Sequence, residues 1–136
     1  MNRCSRWLAF AGAVVLAACA SVSQRALKDQ AERDRYVSYA GAPIDQFTYL
    51  GRFDSWHALS RNELVVFTTI NDVYLLKVWQ PCIGLQFATR VGVTSTGGTV
   101  HRGLDSVLVD DQQCPVDEIR PVDYRKMLAD RRNATH

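Results

Sequence analysis

From Ile44 onward the apolar residues come in short runs broken by Gly, Pro, Asn and Asp, the mark of strands joined by turns. Residues 47–50 and 55–59 read as brief strands around Gly51, and Ser60-Arg61-Asn62 as a turn. The two strongest strand signals are 64–69 and 73–79, with Asn71-Asp72 as a tight hairpin connection between them. In the second run Tyr74, Leu76 and Val78 share one face, while Val73, Leu75, Lys77 and Trp79 share the other. Both faces are mostly apolar, so this hairpin should lie centrally, covered on both sides or curled into a barrel. The residues expected to be buried are Val65 or Val66, Phe67, Tyr74, Leu76 and Val78. Pro81 ends the run, because it cannot donate to a ladder.

Residues 82–88 are compact and apolar, a turn or single helical loop under the sheet. Runs 91–94 and 99–101 flank Ser95-Thr96-Gly97-Gly98, a second hairpin signal. Residues 106–109 form another strand, 110–113 a polar turn, and 114–122 the last extended run. Asp123 is placed to cap a short helix over 124–131, with 132–136 fraying. The pattern predicts a mainly β fold: a small antiparallel barrel or curled sheet of roughly six or seven strands. It has an N-terminal helix and a short C-terminal helix. The strands follow one another too closely for the crossover helices of a parallel sheet.

Upstream the composition changes. Residues 24–40 are highly charged, with Arg25/Asp29 and Lys28/Glu32 at i,i+4 spacing and a thin apolar stripe of Leu27, Ala31 and Tyr36. Gly41 and Pro43 supply the stop. A solvated helix that spaces the β-rich part from a bilayer, or packs one edge of it, is the expectation. Before it, Arg3 and Arg6 precede an apolar stretch from Trp7 to Val15, and Leu16-Ala17-Ala18-Cys19 closes the segment. That is the layout of a bacterial lipoprotein signal. The apolar run is too short for the roughly 20 residues of a spanning helix. Cleavage before Cys19 would leave that residue acylated, with 20–23 as a brief tether. Ala20 and Ser21, in place of an Asp after the cysteine, favour the outer membrane, facing the periplasm. The chain thus divides into a signal (1–18), a lipidated tether and charged helix (19–43), a β-rich domain (44–123), and a short helix with a frayed tail (124–136).

Processing also removes the basic excess. Losing Arg3 and Arg6 takes the 16 Lys and Arg to 14, equal to the 14 Asp and Glu. No global field then points to nucleic acid. Trp56, Tyr74 and Trp79 interleave with Arg52, Arg61 and Lys77, but core and sheet packing explain those aromatics better than a base-stacking platform. With Cys4 in the signal and Cys19 lipidated, Cys82 and Cys114 remain. In an oxidising compartment they most simply form a disulfide, against two separate thiols or a redox or metal pair that lacks CxxC spacing.

Residues that carry chemistry are sparse. His57, His101 and His136 stand singly, and no metal site or cofactor is read from them. Ser95-Thr96-Gly97-Gly98-Thr99 is followed by strand-like sequence rather than a helix, so it reads as a turn, not a phosphate cradle. Asp105, Asp110 and Asp111 offer too few oxygens at the wrong spacing for calcium and read as solvated. No Gly-x-Ser-x-Gly elbow is present. The polar side chains to probe are Arg120 and Asp123, flanking Pro121-Val122, then Glu118 and His57 as acid or base. Their simpler reading is a pair, Arg120 with Asp123, fixing the last strand to the domain.

Pro81-Cys82-x-Gly84-Leu85-x-Phe87-Ala88, Val93-Thr94-Ser95-x-Gly97-Gly98, Gly103-x-Asp105, Cys114 and Glu118-Ile119-Arg120-Pro121-Val122-Asp123 together resemble a family of small proteobacterial lipoproteins of unknown function. The resemblance covers roughly residues 47–123. It implies an exported single domain with this cysteine pair, and it carries over no catalytic or ligand residue. The functional expectation is an envelope-anchored lipoprotein with a non-enzymatic binding or structural role. Its partners would be the membrane, through the anchor, and an envelope protein, glycan or lipid. The alternative is a small enzyme acting on an envelope polymer or lipid.

Overall fold

The computed structural model describes the backbone from Leu8 and the side chains from Ser21 onward. The first seven residues of the expected signal and the Cys19 sulfur therefore lie outside the described residues. The chain divides into two compact units, Met1–Ala31 and Glu32–His136. Helix α1 (Leu8–Ser38) makes up most of the first and contributes its last turns to the second. Residues 20–23, expected as a tether, are helical, because nothing in them breaks the run. Leu27 is exposed rather than part of a packed stripe. Among the described residues no helix is long and apolar enough to cross a membrane.

The second unit is mainly β. Its strands are β1 (Gln46–Thr48), β2 (Ser55–Ala58), β3 (Glu63–Phe67), β4 (Val73–Val78), β5 (Val91–Val93), β6 (Thr99–His101), β7 (Ser106–Val109) and β8 (Gln112–Val122). Helix α2 (Tyr124–Ala134) follows. Six strands form one antiparallel sheet in the order β2-β3-β4-β8-β7-β5, curled into a nearly closed barrel. The ribbon β1–β6 sends Phe47 and Val100 into its core.

The central hairpin is β3–β4, as its two apolar faces require. Leu64, Val66, Leu76 and Val78 point into the barrel, while Val65, Phe67, Val73 and Leu75 point outward. That outer face is roofed by Tyr36 from α1 and Met127 from α2. Tyr74 is only half-buried, stacked on Phe47 with ring centroids 4.6 Å apart. The β3–β4 connection is the five-residue loop 68–72 rather than a two-residue turn. Asp72 there accepts the Thr69 hydroxyl at 2.8 Å and its carbonyl accepts the Thr68 N–H at 3.0 Å.

Strand β8 pairs with β7 through its first residues and with β4 through its last. Between these the register slips, Lys77 facing Glu118 and Val78 facing Val116, so Asp117 is the extra residue of a bulge. The bulge changes which face a residue serves. Cys114 and Val116 point inward before it, Ile119 after it. One strand can thus line the core while changing partners.

The second expected hairpin does not form as a strand pair. Residues 96–99 make a turn with a single bridge between Thr96 and Thr99. The flanking strands diverge, β5 to β7 and β6 to β1. At the C-terminus Asp123 caps α2, its carboxylate accepting the Lys126 N–H at 3.0 Å. The helix persists to Ala134, with Arg131 and Arg132 in its last turn where cations suit its dipole.

Candidate functional site

The four polar residues singled out in the sequence are not gathered into one site. His57, Val65, Leu75 and Arg120 lie in one cross-strand row on the outer face. Three strand spacings separate His57 from Arg120, about 14 Å. The His57 ring is exposed and meets Phe67 edge-on, with centroids 5.9 Å apart. Arg120 donates to the carbonyls of Gly41 at 2.9 Å and Ala40 at 3.2 Å, with a Glu118 oxygen 4.0 Å away. Asp123 is occupied as the helix cap and does not pair with Arg120. Both do fix the end of β8, one to the 40–41 turn and one to α2.

Asp105, expected in a solvated turn, is buried. Its carboxylate accepts the His101 backbone N–H at 2.8 Å and the Thr94 hydroxyl at 2.9 Å, and lies 3.3 Å from His101 Nδ1. Burial alone would push the acid up. The hydrogen bonds from His101 and Thr94 outweigh it and hold the carboxyl below its ordinary value. Reading His101 as a solitary histidine misses this pair, although its i,i+4 spacing to Asp105 is there in the sequence. A second ionic tie joins α1 to β3: Arg33 grips Glu63 with two nitrogens, one of them at 2.9 Å, and Ser60 adds a hydroxyl at 3.1 Å. The Arg33 hydrogen bond is the main cause that holds the Glu63 carboxyl below its ordinary value, against the opposing effect of burial. Both sites brace turns and elements, and neither His101 nor Glu63 lines one of the described grooves. Among the described residues no three His, Cys, Asp or Glu side chains could hold a metal ion.

The most distinct surface feature lies after β4. Cys82 and Cys114 form a disulfide with Cα atoms 5.6 Å apart, tying the loop to β8. The Gln80–Pro81 peptide is cis, and the Gln112 side chain donates to the Pro81 carbonyl at 3.2 Å. Gly84 then takes φ +86°, a left-handed turn that a side chain would strain, and leads into a 3-10 turn, Leu85–Phe87. The turn buries Cys82 and Leu85 and leaves Ile83 and Phe87 outward, 75 % and 85 % exposed. Trp79, read as packed in the sheet, is 59 % exposed, just past the end of β4 at Val78. Together with Arg61, Gln80 and Gln86, this loop lines a groove of ≈ 330 Å³. Clustered large apolar side chains in water mark interaction surfaces.

A family model described as a family of unknown function (DUF6491) matches residues 2–136. That span includes the helices as well as the β-rich part. No curated protein and no solved structure matches the chain.

Proposed function

The chain belongs to a family of unknown function, and from that premise we propose that the protein is an envelope-anchored lipoprotein acting as a non-enzymatic binding module. The signal-like segment ending in Leu16-Ala17-Ala18-Cys19, and the resemblance to small proteobacterial lipoproteins, support the anchor. One observation carries the binding role: the disulfide-braced loop that holds Ile83 and Phe87 in water beside the Arg61 groove. The disulfide and the Gln112 hydrogen bond restrain the loop, which reduces the ordering cost of binding. Its lining suits an envelope component with an apolar segment and an anionic group for Arg61. Binding is favoured over catalysis because Arg120 and Asp123 are engaged separately, and none of His57, Glu118, Arg120 and Asp123 lines the grooves described above.

A photoreactive residue at position 87 should crosslink one envelope component in cells, and Arg61→Ala with Ile83→Ser should abolish the adduct. Cys19→Ser should release the chain from the membrane fraction. A purified protein that turns over a cell-wall fragment, with no adduct from position 87, would reverse this reading.

A further inference from the structure

The barrel stays open between its terminal strands, and both carry unpaired edges. β2 pairs with β3 alone and β5 with β7 alone within the sheet. The Leu59 N–H bonds the Glu63 carbonyl at 2.8 Å, so by antiparallel alternation His57 and Ser55 also turn toward β3. The N–H and C=O groups of Trp56 and Ala58 therefore face the seam. On the opposite side the Thr94 N–H bonds the Ser106 carbonyl at 2.9 Å, which turns Gly92 inward and leaves Val91 and Val93 facing the seam. Among the described residues, no backbone bond outside the strands reaches Trp56, Ala58, Val91 or Val93.

A cleft of ≈ 560 Å³ touches both edges, at Trp56 and at Val91, and is otherwise lined by residues 49 and 51–55. Tyr49, Phe53, Trp56 and Val91 line it together with Arg52 and Asp54. The Tyr49 and Phe53 rings, 5.0 Å apart, pack against the barrel core. Unpaired main-chain groups are met best by another main chain, and the apolar lining suits every second side chain of a strand. Arg52 and Asp54 offer polar partners of both signs to the alternate ones.

We propose that this seam receives an extended segment of a partner protein, which adds as a strand to the Trp56 and Ala58 edge and seats apolar side chains in the cleft. A lipid or a glycan lacks the repeating amides that this edge selects. The site is separate from the 80–87 groove and stands independently of it.

The test uses the full chain in mild detergent and a short synthetic peptide in which valine alternates with threonine. Hydrogen exchange followed by NMR should slow at the Trp56 and Ala58 amides on peptide binding. It should not change at His57, whose amide is already bonded to β3. Methylating alternate peptide nitrogens removes two or more hydrogen bonds and should weaken binding about tenfold or more. Ala58→Pro should abolish binding while leaving the fold, since proline is tolerated on an outward-facing edge. Equal affinity for the methylated peptide, or protection without the alternating pattern, would overturn the proposal. Protection that grows with protein concentration in the absence of peptide would also overturn it, by assigning the seam to a second copy of this chain.

Discussion

Truncating Leu76 to alanine probes the barrel interior at its most constrained point. Leu76 is fully buried, and its in-register neighbours, Leu64 on β3 and Ile119 on β8, are fully buried too. Removing three carbons loses about 2.4 kcal/mol of transfer free energy, at about 0.8 kcal/mol per methylene. A cavity term adds to this, because ladders on both sides of β4 keep the flanking strands from closing the space. The expected loss is therefore in the upper part of the 2–5 kcal/mol range, about 4 kcal/mol. In a urea melt followed by far-UV circular dichroism, that lowers the midpoint by about 1.5–3 M without changing the slope. Leu75→Ala is the companion, on the opposite face of the same strand and roofed by helices that can settle inward. It should cost about 2–3 kcal/mol. Leu50→Ala, at an exposed site, should stay within about 0.5 kcal/mol. A loss below about 0.5 kcal/mol for Leu76→Ala would refute the assignment of this face to the interior. The same result for Leu75→Ala alone would mean that the helices do not cover the sheet.

Replacing Cys82 and Cys114 together by alanine opens a loop set by a sequence separation of 32 residues and should cost about 3–4 kcal/mol. Both sulfurs should resist alkylation until reduced, and free thiols in protein prepared without reductant would contradict the pairing. Because Glu63 titrates below its ordinary value when folded, its contribution is complete above the unfolded value, about 4.3, and is lost as pH falls through the lower folded value. Glu63→Gln should therefore flatten the acid side of the stability curve in urea melts at pH 6 and pH 3, and an unchanged curve would rule out the Arg33 tie as its source. Asp105→Asn should act in the same direction below about pH 4 and also loosen the His101 turn, seen as faster amide exchange at His101.

How much was legible depended on whether the signal was local. The β3–β4 hairpin could be read because two short runs of β-branched, aromatic and other apolar residues flank a local turn signal, which leaves few other arrangements. The turn at Gly97-Gly98 was legible as a turn, but turn chemistry does not say whether the flanking strands pair. Here partners far away in sequence, β1 and β7, take them. Asp105 was misplaced because acidic residues are usually solvated, and one of its compensating donors, the Thr94 hydroxyl, is brought to it only by the fold. The groove was hidden for the opposite reason. Ile83 and Phe87 look like core in sequence, yet the left-handed Gly84 and the following 3-10 turn rotate them outward while Leu85 fills the interior.

The late position of β8 has a consequence for how the protein is made. It follows the other seven strands along the chain, yet in the sheet it joins β2-β3-β4 to β7-β5. A chain stopped after Asp111 would hold the large sheet as two unjoined pieces, β2-β3-β4 and β5-β7, rather than a smaller barrel. Closure must therefore await the strand that follows all the others it joins, a topology of distant contacts that folds slowly. For the exported protein proposed above, that delay would keep the chain threadable through a translocon, with closure and oxidation of Cys82 to Cys114 completed on the far side.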